Sequence, residues 1–187
     1  FLLYQKYLPV ERYALKTNDL DILVPRPFQG KAFDLGKDLE RLGFSRHFNA
    51  DGSTYFAGNR MKIEFLAKAG REGRRLSPAL TEMAIVPQEL RYLDMLFADP
   101  LVLKVARGVR ARVPAPADFL LHKLVIGTLP ERRAKKEKDL RQAVYTAKYV
   151  ISDKPETDRL VRHWQDLPAK WKARIRKAID EAGDLTP

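Results

Sequence analysis

Residues 16–24 read KTNDLDILV, with Asp19 and Asp21 two positions apart in an otherwise apolar, β-branched run. On a strand, side chains at i and i+2 leave the same face. Asp19 and Asp21 therefore point together, while Leu20, Ile22 and Val24 pack on the other side. Adjacent carboxylates repel unless a cation lies between them. Hard divalent cations take oxygen ligands, and Mg²⁺ is held by one or two carboxylates plus substrate phosphates. Two such ions about 4 Å apart can clamp the attacking and leaving oxygens of a phosphoryl transfer. That chemistry needs a third carboxylate from a neighbouring strand. Glu64, in the alternating run RMKIEFLA at 60–67, is the candidate. The alternative is a solvated strand face whose acidic side chains point to water.

Outward from this strand, Pro25 and Pro27 stop it, since proline donates nothing to a ladder. The spacing of Phe33, Leu35, Leu39 and Leu42 predicts a helix over 32–43, with Gly43 as its C-terminal cap. Two short strands, FSRHFN and STYFAG, flank a turn at Ala50, Asp51 and Gly52. In the run at 60–67, Met61, Ile63 and Phe65 face one way and Lys62, Glu64 and Leu66 the other. GREGRR at 70–75 is a basic loop, and Arg71, Arg74 and Arg75 could grip a polyanion. A short helix is expected over 90–97, then a hairpin over 101–114 turning at Arg107 and Gly108. From Pro116 the pattern becomes helical, over 116–129, 131–151, 155–166 and 169–182, with Pro130, Pro155 and Pro168 at helix starts. The expected architecture is α+β, a mixed sheet with flanking helices followed by an all-α part. Its domains would be 1–115 and 116–187.

The bulk numbers fit a globular chain with a real core: 187 residues, 45% hydrophobic and 32% charged. No apolar run approaches the roughly 18 residues that a membrane span requires. The absence of cysteine excludes disulfides, thiolate metal sites and cysteine nucleophiles. It suits a reducing compartment, and a cytoplasmic location is expected. Thirty-five Lys and Arg against 24 Asp and Glu give a net charge of +11, which favours anionic partners. The opening FLLYQKYL reads as helix rather than as a signal peptide.

KTNDLDILV followed at a distance by KIEFL resembles the nucleotidyltransferase fold of the polymerase-β type. There a Gly-Ser or Gly-Gly turn leads through a helix to a Thr-x-Asp-hydrophobic-Asp strand, and a third acidic residue follows on an adjacent strand. Thr17, Asp19 and Asp21 fall on that pattern, and Glu64 takes the third place, where the family often has Asp. The resemblance makes residues 1–8 the helix and puts the glycine turn upstream of Phe1. It implies Mg²⁺ (or Mn²⁺) as cofactor and a nucleoside triphosphate (NTP) as substrate.

The helix PADFLLHKLVI at 116–126 is apolar nearly all round and should be buried. Lys123 within it must snorkel out or meet an anion. His122 beside it reads as a hydrogen-bonded core or boundary histidine. Residues 123–148 hold eight Lys or Arg and three Asp or Glu. Leu140, Val144, Ala147 and Ile151 form an expected apolar stripe. Arg132, Lys136 and Asp139 share another face, and Lys135–Asp139 and Arg133–Glu137 are expected i, i+4 pairs. PAPADFLLHKL…ERR…KKEKDLRQA looks like the signature that follows the catalytic strands in a bacterial nucleotidyltransferase-fold group. It is more distantly similar to the nucleotidyltransferase toxins of abortive-infection systems. The resemblance implies that Lys123 with Arg132 or Arg133 holds the triphosphate, and that Lys138 and Asp139 support the site. The further acidic residue that the toxins commonly carry one turn later is not present between Leu140 and Ala143. Trp164, Trp171, Leu160, Leu167 and Ile175 are expected to form the core of the last two helices.

The function expected is transfer of a nucleoside monophosphate from an NTP to an acceptor hydroxyl, with Asp19, Asp21 and Glu64 as metal ligands and catalytic groups. The acceptor, RNA or protein among the candidates, is not legible. The rival is a degenerate module of the same fold that binds nucleic acid or a protein partner. Convergence of the three carboxylates in a cleft beside Lys123 favours the enzyme, and scatter favours the binder. A hydrolytic phosphodiesterase would need histidine-rich metal ligands, and only His47, His122 and His163 are available.

Overall fold

The computed structural model describes residues 18–25, 28, 31–58, 60–70 and 81–183. The helix expected at 1–8, Thr17, and Arg71, Arg74 and Arg75 lie outside them. The fold is α+β, as expected. The chain divides into two compact units, Lys16–Leu93 and a second that contains Asp94–Pro187.

The first unit is a five-stranded mixed sheet. Its strands are β1 (Asp19–Leu23), β2 (Ser45–Phe48), β3 (Thr54–Gly58), β4 (Met61–Lys68) and β5 (Gln88–Leu90), in the order β1-β4-β3-β2, with β5 also on β4. β1 runs parallel to β4, from Asp19 opposite Lys62 to Leu23 opposite Leu66. β3 is antiparallel to both β4 and β2. Where β3 stops, β5 continues beside β4 in parallel, from Leu66 opposite Gln88 to Lys68 opposite Leu90. The helix α1 (Leu35–Arg41) starts at Asp34, whose carboxylate accepts the Lys37 N–H at 3.2 Å.

The β4 alternation is the one read from sequence: Ile63, Phe65 and Ala67 are buried. Ile63 and Phe65 form a core with Val24, Phe56, Met83 and Ile85, and Leu35, Leu39, Phe28 and Phe44 pack against it. The Phe56 and Phe65 rings meet edge to face at 6.0 Å. Leu20 and Ile22 share this face yet remain 38% and 37% exposed. A helix over 90–97 does not form. Residues 88–90 complete the free edge of β4 instead, Tyr92 takes a left-handed backbone (φ 66°), and only α2 (Asp94–Phe97) is helical. Pairing the open backbone edge of β4 outweighs a weak local helical pattern.

The second unit contains α2, the hairpin β6 (Leu101–Ala106) and β7 (Val109–Val113), and the helices α3 (Pro116–Ile126), α4 (Lys136–Ser152), α5 (Lys154–Asp166) and α6 (Ala169–Gly183). α3 is buried nearly all round, as its composition requires, and packs against α2, α4, α5 and α6. Its first turn is capped from a neighbour: Glu156 Oε2 accepts the Ala117 N–H at 2.8 Å.

The helix expected over 131–151 begins as a 3₁₀ segment, Pro130–Lys135, before α4 proper. Packing against α3, α5 and α6 buries Asp139, Leu140, Gln142, Ala143, Thr146 and Val150 in place of the expected stripe, and leaves Ile151 76% exposed. Of the last two helices, Ile175 and Ala178 are fully buried, but Trp164 and Trp171 are only half-buried. Lys172 and Arg176 lie 5.9 and 5.7 Å from the centre of the Trp164 ring.

Sequence reading passed over a buried polar network. Asp118 in α3 is almost fully enclosed, and its carboxylate accepts from Arg159 Nη2 at 2.9 Å and from Nε at 3.2 Å. His163 Nδ1 meets the other oxygen, and Arg159 also reaches the Asp99 carbonyl. Removing one member of such a pair leaves the other charged and buried, at a cost of about 3–5 kcal/mol. Arg159→Met should lower unfolding stability by about that amount in urea titration. A loss below about 1 kcal/mol, the range of surface pairs, would contradict the network's structural role.

Candidate active site

The register of β1 and β4 decides where the acidic side chains stand. In a parallel pair, partners opposite one another project from the same face. Asp21 lies directly opposite Glu64 and Asp19 opposite Lys62, so all three carboxylates share the face away from the apolar core. Asp19 and Asp21 are exposed and Glu64 is half-buried. Hydrophobic alternation alone produces this: Ile63 and Phe65 must face inward, so Lys62 and Glu64 cannot.

The same face carries a residue that sequence reading assigned no role. Lys62 Nζ lies 2.7 Å from Glu64 Oε1 and 4.3 Å from the centre of the Tyr55 ring. Tyr55 is the antiparallel partner of Glu64, and His47 stacks on Tyr55 at 5.1 Å. The signal was available, since Lys62 and Glu64 are two apart on one strand. Three oxygen donors of this kind suit a hard divalent cation in type. Among the described residues, however, no three acidic or histidine side chains are gathered closely enough to hold a metal ion. One Glu64 oxygen is held by an ammonium instead.

In the second unit, Asp139 is a buried anion between two cations. Lys123 Nζ is 2.8 Å from Oδ1, while Arg132 Nε and Nη2 are 2.8 and 2.7 Å from Oδ2. The apolar surroundings of α3 make this pairing necessary. Burial pushes the Lys123 ammonium below its ordinary pKa, and Asp139 pulls it back up. Gly127 lets α4 approach the end of α3, because a Cβ there would stand 2.9 Å from Leu140 Cδ2. Lys123 therefore meets an anion rather than snorkelling out. Of the other residues implied by resemblance, Arg133 and Lys138 are exposed and outside this cluster. Glu137 pairs with Arg141, and Asp139 is used internally rather than by Lys135.

His122 is buried beside this cluster, and its Nδ1 has no hydrogen-bond partner among the described residues. Burial, then the Lys123 and Arg132 charges, push its pKa down to about 3. The histidine lies in the core as expected, with Nδ1 unpaired and the ring kept from protonation.

A nucleotidyltransferase family pattern matches residues 1–168, and the chain belongs to that family. No curated protein and no solved structure matches it. No helix among the described residues is long and apolar enough to cross a membrane.

Two outcomes follow from the geometry. Removing the Lys62 charge should free Glu64, and an ion pair of this exposure is worth up to about 1 kcal/mol. Lys62→Gln should tighten Mn²⁺ binding by roughly twofold to fivefold in a calorimetric or spin-resonance titration. Weaker binding would mean that Lys62 supports the site rather than competing in it. An unfolded histidine titrates near 6.5, so between that pH and about 3 the unfolded chain takes a proton that folded His122 refuses. Stability should therefore fall as pH drops through this window. In His122→Leu the loss between pH 7.5 and pH 5, measured by denaturant unfolding, should be smaller. An identical loss would assign the acid sensitivity to other groups.

Proposed function

We propose that this chain transfers a nucleoside monophosphate from an NTP to an acceptor hydroxyl, releasing pyrophosphate. The observation carrying the reading is the register that sets Asp21 beside Glu64 with Asp19 on the same face, in a chain of nucleotidyltransferase family. Asp19, Asp21 and Glu64 would hold Mg²⁺ or Mn²⁺. The bound ions would neutralise phosphate charge and lower the pKa of the acceptor hydroxyl. Asp19 and Asp21 serve the nucleotide side. Glu64, released from Lys62, serves the acceptor side and helps take the hydroxyl proton. The acceptor oxygen bonds to the α-phosphorus, and the bond from that phosphorus to the bridging oxygen breaks.

Lys123 and Arg132 are the candidate phosphate-binding cations. Asp139 fixes both and uses only part of their donor capacity, because the ammonium has three protons and the guanidinium five. Cations held in this way are prepositioned to pair with the oxygens of a triphosphate. Arg133, Lys138 and Thr17 stay as secondary candidates for nucleotide contact. The acceptor is proposed to be an RNA end or a protein side chain, in a cytoplasmic setting where NTPs are supplied.

Two observations favour a second reading, the non-catalytic module: among the described residues no three acidic side chains are gathered closely enough to hold a metal ion, and an ammonium at 2.7 Å from Glu64 fills a place that a metal would take. Calorimetric titration of the four ribonucleoside triphosphates, with and without Mg²⁺, separates the two. The enzyme reading expects Mg²⁺-dependent binding of at least one triphosphate, weakened tenfold or more (about 1.4 kcal/mol) in Asp21→Asn. Binding that is unchanged in that variant, or absent for every triphosphate in the folded protein, would transfer the assignment to the module.

A further inference from the structure

The β6–β7 hairpin carries Lys104, Arg107, Arg110 and Arg112 and no carboxylate between Leu101 and Val113. All four are exposed, and none takes part in an ion pair among the described residues. Some cations elsewhere are paired, Lys62 with Glu64, Arg141 with Glu137 and Lys154 with Asp158, while Arg133, Lys135, Arg162 and Arg174 form no ion pair among the described residues. What sets the hairpin apart is its register. Lys104 stands directly opposite Arg110, and Val102 opposite Arg112, so three cations and a valine share one face of the ribbon. Opposed side chains on one face lie about 5 Å apart, where like charges destabilise the pair.

The shape is a narrow two-stranded ribbon. Gly108, at φ 75°, closes the turn, and Leu103 and Val113 anchor the base at 5% and 7% exposure. Val102, on the cationic face, is 59% exposed, so an apolar side chain accompanies the charges outward, and Val109 on the other face is 53% exposed. A ribbon that carries an unneutralised cationic face and exposed methyl groups is built for a polyanion with an apolar floor.

We propose that the β6–β7 ribbon binds duplex DNA by entering the major groove, with Lys104, Arg110 and Arg112 on the phosphates and Val102 toward the base edges. The major groove of B-form DNA is about 12 Å wide and admits a two-stranded ribbon, with thymine methyl groups on its floor. The deep, narrow groove of A-form RNA does not admit side chains. Three of the four cations are arginine, whose planar fork suits phosphate. Valine lacks the bulk of the Trp, Phe and Leu side chains with which surface-bound elements enter a bilayer. The hairpin shares no residue with the transferase site, so this inference stands or falls independently of it.

Fluorescence anisotropy of the full chain with a labelled DNA duplex, across a salt series, tests the proposal. Lys104→Gln/Arg110→Gln should lower the slope of log affinity against log salt by about 2, at about 0.9 per phosphate contact. Its melting temperature should be unchanged or higher, because the opposed charges are gone. Arg141→Gln/Lys154→Gln removes two charges elsewhere and should leave the slope unchanged. Four results would overturn the proposal: no duplex DNA binding by the parent chain, an equal loss of slope in the control variant, tighter binding to an RNA duplex of the same sequence, or binding to anionic vesicles in place of DNA.

Discussion

β4 must satisfy neighbours on both edges while burying only one face, and the sheet unit is organised around that demand. β1 occupies one edge in parallel. The other edge is shared, first by β3 and then by β5. Because Ile63, Phe65 and Ala67 face the core, every second residue is committed to the opposite side. The parallel register then sets Glu64 beside Asp21. A one-residue slip would move every side chain to the wrong face, so the core that holds the sheet also aligns the acidic row. Folding and the candidate chemistry rest on the same constraint.

The second unit meets a different demand, the placing of charge inside an apolar helix bundle. Lys123 is on a helix with almost no solvated face, and Asp139 answers it from α4 with Arg132 as a second partner. Asp118 is answered by Arg159 and His163 in the same manner. Such buried pairs contribute little net stability compared with apolar packing, but they make breakage costly and therefore fix geometry. Keeping His122 neutral belongs to the same arrangement, since a third cation beside Lys123 and Arg132 would be left without an anion.

The strands and most helices were legible because their signals are local: the alternation of 60–67, the turns at Gly52 and Gly108, and the prolines that open α3 and α5. The acidic row was legible for the same reason, being two strands with a strict period. What the sequence concealed depends on partners distant in the chain. β5 exists because β4 offers an unpaired edge, a fact that nothing within residues 88–90 announces. The stripe of α4 was displaced because Asp139 turns inward to Lys123, and a count of apolar residues from Leu140 to Ile151 misses a buried carboxylate. Asp139 looked like a surface partner of Lys135 until α3 supplied Lys123 across sixteen positions. Trp164 and Trp171, read as core by composition, are half-buried, and Lys172 and Arg176 flank the Trp164 ring.

The proposed function puts the metal and the reacting nucleotide on the face shared by β1 and β4. Anomalous diffraction from crystals grown with Mn²⁺ and a non-hydrolysable triphosphate addresses it most directly. A manganese peak is expected within ligating distance of Asp21 and Glu64, with the Glu64 carboxylate turned away from Lys62. Manganese and triphosphate bound together elsewhere, with these carboxylates untouched, would contradict it.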